Sequence, residues 1–185
     1  MYGRGFVRMF LSTRKLTFLG LLLAVTVLLI VLSGILEFNT LFLLAAASFG
    51  VGIAVREAGV SMGLGYLIGS IALGFFLAPN KLYCITYGAM AIYLLVVECI
   101  YDKLLVVNST AVRGKLLWVL KYLIFNLLFI PMLLLFPSLI YTGKIDTRLL
   151  LIMLAGGQIL LFLYDKGYRY FQGNIWERVR TKLKL

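Results

Sequence analysis

Apolar residues run along this chain in six long stretches, approximately Leu16–Leu36, Leu41–Val55, Val60–Leu77, Leu82–Ile100, Leu116–Phe136 and Leu149–Tyr164. A helix rising about 1.5 Å per residue needs about 20 apolar residues to cross a bilayer core. The second and sixth stretches are short by that measure and predict little tilt or a locally thinned membrane. The breaks between stretches have chemical causes. Glu37, Asn39 and Thr40 end the first, and Arg56, Glu57 and Gly59 separate the second from the third. Ala78-Pro79-Asn80-Lys81 makes a tight turn, because proline cannot continue the helix before it. The pattern predicts an all-α polytopic membrane protein of six transmembrane helices.

Composition agrees. Of 185 residues, 63% are hydrophobic, and mean hydropathy is +1.04. A water-soluble domain of this size could not hide so much apolar surface. Charge collects at the two ends of the chain, which suggests three regions: a basic N-terminal segment over 1–15, a helical membrane domain over 16–164 and a basic amphipathic tail over 165–185. The first stretch follows Arg4, Arg8, Arg14 and Lys15 as a signal peptide would, but it runs about 20 residues and lacks a small-residue cleavage site, so it reads as an uncleaved first span.

The net charge of +11 acquires meaning once the residues are sorted by side. With the N-terminus inside, the inner loops and termini hold Arg4, Arg8, Arg14, Lys15, Arg56, Lys103, Arg113, Lys115, Lys166, Arg169, Arg178, Arg180, Lys182 and Lys184, fourteen in all. The outer loops hold three, Lys81, Lys144 and Arg148. Positive residues retained on the cytoplasmic side set orientation, so both termini are expected in the cytoplasm; five spans are the alternative and fit less well. The basic residues then read as topology determinants and contacts to anionic lipid, with no role for nucleic acid. In the tail, Phe171, Ile175, Trp176, Val179 and Leu183 approximate one face of an interfacial helix. The sequon at Asn108 falls on the inner side and is discounted as a glycan site.

Several chemistries are disfavoured. The chain has no histidine, and its two cysteines, Cys84 and Cys99, lie in one helix. Fifteen residues of helix separate them by roughly 22 Å, beyond the reach of a disulfide. No cofactor, metal site or catalytic triad is expected, and the chain does not read as an enzyme. No phosphate-loop motif is present, so any energised process would draw on partners.

Candidate functional residues fall in four groups. Small residues line the third stretch: Gly59, Gly63, Ser70 and Gly74 share one face, and Gly65 and Gly69 lie roughly opposite. Ala46, Gly50 and Ala54 share a face of the second. Such faces let helices approach closely, within the chain or against a partner. The fourth stretch carries a stripe of Tyr83, Tyr87, Ala91, Leu94 and Glu98. Its outer part, with Asn80 and Lys81, reads as a cavity wall or as an interfacial aromatic belt. Asn126 and Gln158 sit near mid-depth, Asn126 just before Pro131. A helix broken there would offer a solute-binding wall, and an interhelical amide bond is the plainer alternative. Glu98 and Lys121 are ionisable residues embedded in spans. They are expected to pair with each other, or to snorkel separately to the interface.

The glycine-rich span after Arg56-Glu57, followed by the Leu77-Ala78-Pro79-Asn80-Lys81-Leu82 turn, resembles the six-span substrate-binding S components of energy-coupling factor transporters and related uncharacterised bacterial membrane families. The resemblance implies small residues spaced by four on the first helix as the contact with a coupling subunit, which here match Gly20 and Ala24. It also implies a ligand near the outer side, where Asn80, Lys81, Tyr83 and Tyr87 stand, with Asn126 and Gln158 deeper. Two functions are therefore expected of a chain in a bacterial inner membrane: a small-solute-binding transport subunit served by a coupling subunit and ATPases, or a non-catalytic assembly protein of the cell envelope.

Overall fold

A computed structural model describes residues 13–104, 110–135 and 147–183 of the chain. The helices are α1 (Thr13–Ile35), α2 (Thr40–Ala58), α3 (Val60–Leu77), α4 (Lys81–Leu104), α5 (Thr110–Leu135) and α6 (Thr147–Tyr170), followed by a π-helical turn (Phe171–Trp176) and α7 (Glu177–Leu183). Among the described residues six helices are long and apolar enough to cross a membrane, as the hydrophobic pattern predicts, and the sixth runs on through the π turn to Lys182. That continuity corrects the expectation of a short last span. The helix continues through residues 164 and 165.

The burial pattern differs from that of a water-soluble bundle in its apolar exterior and in the polar groups set into its apolar core. Outward faces carry Leu21, Leu28, Ile68, Phe76, Leu127 and Ile152, all exposed. The interior holds Thr26, Ser33, Ser48, Ser70, Glu98, Lys121 and Asp165. Lipid tails solvate the apolar faces, and polar groups that cannot meet water must find partners inside.

Helix α2 is the centre of the bundle and packs against α1, α3 and α4. Its small residues make this possible, since Ala47, Ser48, Gly50, Gly52 and Ala54 are all buried. Where Gly50 lacks a side chain, the Thr26 hydroxyl of α1 meets the Tyr66 hydroxyl of α3 at 2.7 Å. The α2–α3 turn is made at Gly59, whose φ of 85° is strained for any residue with a Cβ. The turn is tight: the Gly59 amide donates to the Val55 carbonyl (2.8 Å) and the Gly63 amide to the Gly59 carbonyl (2.9 Å).

Helix α5 differs from expectation. It remains helical through Pro131 to Leu135, so mid-depth backbone is not unwound there. In lipid, releasing a whole turn of backbone costs more than the one hydrogen bond that proline removes.

Candidate functional site

Arg56 and Glu57 close the last turn of α2. Successive helical residues point about 100° apart, so the two side chains serve different neighbours. Arg56 reaches α4, where Nε donates to Oε2 and Nη2 to Oε1 of Glu98, both at 2.8 Å. The Tyr168 hydroxyl of α6 donates to the same Oε1 at 2.7 Å, and Gln172 Nε2 donates in turn to the Tyr168 hydroxyl at 2.9 Å. Gly52, one turn before Arg56, makes room for the tyrosine. A Cβ there would lie 2.0 Å from the Tyr168 hydroxyl oxygen.

Glu57 ties the far end of the last helix to the bundle. Arg180 Nε lies 3.0 Å from its Oε1, and the Trp176 indole N–H donates to that same oxygen at 3.3 Å. Lys15 of α1 donates to its backbone carbonyl at 3.0 Å. Gln172, Trp176 and Arg180 recur every four residues. In a plain α-helix that spacing drifts by about 40° per step. The wider π turn over 171–176 rotates each residue less and keeps the three on one face.

A second ion pair lies beside the first. Lys121 of α5 donates to Asp165 Oδ1, both side chains being buried. Arg169 Nε approaches Oδ2 of the same carboxylate at 3.0 Å. Lys121 Nζ and Arg169 Cζ stand 5.4 and 5.3 Å from the Trp118 ring centre, within cation–π range. Beside these groups lies a half-open cavity of about 320 Å³ whose lining includes Arg56, Glu98, Lys121, Gln172, Trp176 and Arg180. That size is at the lower end of small-molecule sites, about 300–1,000 Å³.

The contacts place one end of α1, α2, α4 and α6 together, and this is the end rich in arginine and lysine. Isolating an ion from water costs several kcal/mol even after relaxation, and a buried pair seldom does better than well-packed apolar side chains. Three ion-paired carboxylates in one lipid-facing bundle are therefore poorly explained by stability alone, and embedded ionisable residues mark function by default.

The structure rearranges the residues expected to matter. Glu98 and Lys121 do not pair with each other: Glu98 is held by Arg56 and Lys121 by Asp165. Nor do they snorkel, being 3% and 3% exposed. The outer group makes separate contacts within the chain. The Asn80 side chain accepts from the Leu82 amide at 3.0 Å and caps the start of α4. Lys81 lies 4.8 Å from the Phe75 ring centre, and Tyr83 packs against the core. Tyr87 is fully buried and donates to the Ser70 hydroxyl at 2.7 Å. Asn126 and Gln158 do meet, as the interhelical amide alternative has it. Gln158 Nε2 donates to Asn126 Oδ1 at 2.8 Å, and Asn126 Nδ2 returns a bond at 3.4 Å. None of these six lines the cavity.

The small residues divide between inside and outside. Gly63 packs on Val55, and Gly74 on Ile30 and Cys84. Gly69 only grazes Leu23, at 3.9 Å from a built Cβ. Gly20, Ala24 and Gly65 face outward, with nothing within 4 Å of a Cβ at either glycine. In the tail, Trp176 turns into the bundle, 5.2 Å from the Phe18 ring, while Ile175 and Val179 stay exposed. The expected interfacial face is thus divided. Cys84 and Cys99 are free thiols. Asn108 and Lys144 lie outside the described residues.

Arg56 as a buried-pair donor, Glu57, Asp165, Tyr168, Gln172 and Arg180 are the residues that the span-by-span reading passes over. A signal for them does exist. Gln158, Leu161, Asp165, Tyr168, Gln172 and Trp176 follow one another at three- or four-residue steps, a single helical face that ending the last span at Tyr164 cuts in two. No protein family model, curated protein or solved structure matches the chain.

Proposed function

We propose that this multi-pass membrane protein is a small-solute-binding transport subunit of the bacterial inner membrane, with both termini in the cytoplasm and its energy drawn from partner proteins. One observation carries the reading: a half-open cleft of about 320 Å³, lined by ion-paired side chains, at the basic end of a lipid-facing bundle. A protein that only organised others would gain nothing from sustaining a hollow, charged interior against the desolvation of its walls. The position of the cavity departs from the S-component expectation of an outer site, and in this reading it is the cytoplasmic end that meets the solute. Gly20 and Ala24, both exposed, remain available to a coupling subunit in the manner the S-component resemblance implies.

Native mass spectrometry of the gently purified full chain tests this directly. A small molecule retained by the native protein and lost from a Gln172→Leu variant is expected, together with an ATPase or coupling subunit that Gly20→Leu releases. A stoichiometric envelope protein with no retained small molecule would favour the assembly reading. A reporter enzyme fused after Lys184 should register on the cytoplasmic side.

A further inference from the structure

We propose that the cavity takes a solute or headgroup bearing a primary ammonium, held by the side-chain oxygens of Glu57 and Gln172. This rests on the solute-binding reading and adds the chemical class of what is bound.

Donors and acceptors around the cavity are unequally matched. The cations around the cavity have partners: Arg56 is held by Glu98, Lys121 and Arg169 by Asp165, and Arg180 by Glu57. The acceptors are not all matched. Glu57 Oε2 and Gln172 Oε1 have no hydrogen-bond partner among the described residues. Their residues are only 7% and 4% exposed, and both line the cavity. An unmatched buried acceptor costs about 1–3 kcal/mol, and more when it is charged. Two in one hollow call for a ligand that donates.

Both side chains are also held in place. Glu57 is fixed through its other oxygen by Arg180 and Trp176, and Gln172 by the hydrogen bond that its Nε2 donates to the Tyr168 hydroxyl. Their free oxygens are therefore preorganised. A primary ammonium carries three donors and no acceptor, which suits two waiting oxygens. An anion would bring further acceptors to oxygens that already lack donors. It would also meet the carboxylates of Glu57, Glu98 and Glu177 in the lining, while each lining cation, Arg56, Lys121, Arg169 and Arg180, already has a carboxylate partner. Trp176 and Tyr101 in the lining supply aromatic surface, which favours an organic ammonium.

The ammonium could belong to a free amine or to a phosphatidylethanolamine headgroup, and the test separates the two. The full chain is placed in nanodiscs of phosphatidylglycerol alone and titrated calorimetrically with ethanolamine, putrescine, tetramethylammonium and inorganic phosphate. A primary amine should bind saturably, with tetramethylammonium, which has no N–H, at least tenfold weaker and phosphate silent. Gln172→Leu should weaken the amine tenfold or more, with native elution in gel filtration showing the fold intact. If the headgroup is the ligand, adding phosphatidylethanolamine to the discs should lower the apparent amine affinity several-fold; if a free amine is, it should not. Equal binding of tetramethylammonium, binding of phosphate at Gln172, or no binding of any primary amine would overturn the proposal. If a retained solute without an ammonium proves to depend on Gln172, the ligand class fails while the solute-binding reading stands. If no solute is retained and no amine binds, both fail.

Discussion

Arg56 grips Glu98 through two parallel hydrogen bonds, Nε to Oε2 and Nη2 to Oε1, each 2.8 Å long. The forked guanidinium matches the carboxylate in a way that an ammonium cannot. The two partners are unequally placed, since the Arg56 side chain is 39% exposed and that of Glu98 only 4%. Losing the carboxylate frees an arginine that can turn to the interface. Losing the arginine strands a buried anion, for which the Tyr168 hydroxyl is a weaker partner. Arg56→Ala is therefore expected to destabilise by about 3 kcal/mol, and Glu98→Gln, which keeps an acceptor for Tyr168, by clearly less. Arg56→Lys should fall between them. Unfolding midpoints in mild detergent check the order, and an Arg56→Ala variant as stable as Glu98→Gln would contradict it.

Lys121 and Asp165 make the complementary case, because both are buried and lie on neighbouring helices. Lys121→Met alone should cost about 3–5 kcal/mol, being the removal of one member of a buried pair. The double change Lys121→Met with Asp165→Leu leaves only Arg169 unpaired. Its side chain is 52% exposed and can reach the interface. The double variant should return to within about 1 kcal/mol of the native protein. A double variant that is worse than either single one would show that the pair is needed for packing beyond its charge.

Gly52 and Gly65 are both mid-helix glycines with opposite expectations. A methyl group at Gly52 would lie 2.0 Å from the Tyr168 hydroxyl oxygen, whereas Gly65 has nothing within 4 Å. Gly52→Ala should push Tyr168 off Glu98 and cost about 1–3 kcal/mol, the usual range for overpacking. Gly65→Ala should change stability by less than about 0.5 kcal/mol. Equal thermal shifts would refute the assigned approach of α6 to α2.

The Asn126–Gln158 amide pair joins α5 to α6 at mid-depth. Interhelical hydrogen bonds in membranes are modest, because the separated helices find other partners in the lipid-embedded state. A double-mutant cycle with Asn126→Leu and Gln158→Leu should give a coupling of about 0.6 kcal/mol and no more than about 2. A coupling near zero would mean that the two amides act independently.

Much of this architecture follows from the chain read by itself, and for a physical reason. Lipid solvates apolar side chains wherever they point, so the length of an apolar run alone defines a span. The six helices, the turn at Gly59 and the turn at Pro79 are local consequences of local sequence. The stripe through Tyr87, Ala91, Leu94 and Glu98 is local too, and all four side chains are buried. Pairing is not local. Glu98 could satisfy its charge with any cation that a neighbouring helix delivered. Which one arrived depended on α2 filling the centre of the bundle, where Gly52 lets Tyr168 come close and Arg56 follows one turn later. The same packing drew Lys121 to Asp165, carried the last helix past Tyr164 onto Glu57, and left a hollow between the ion pairs. Hydrophobic length determined where the protein sits. Close approach of small residues, a tertiary property, decided where its polar groups meet.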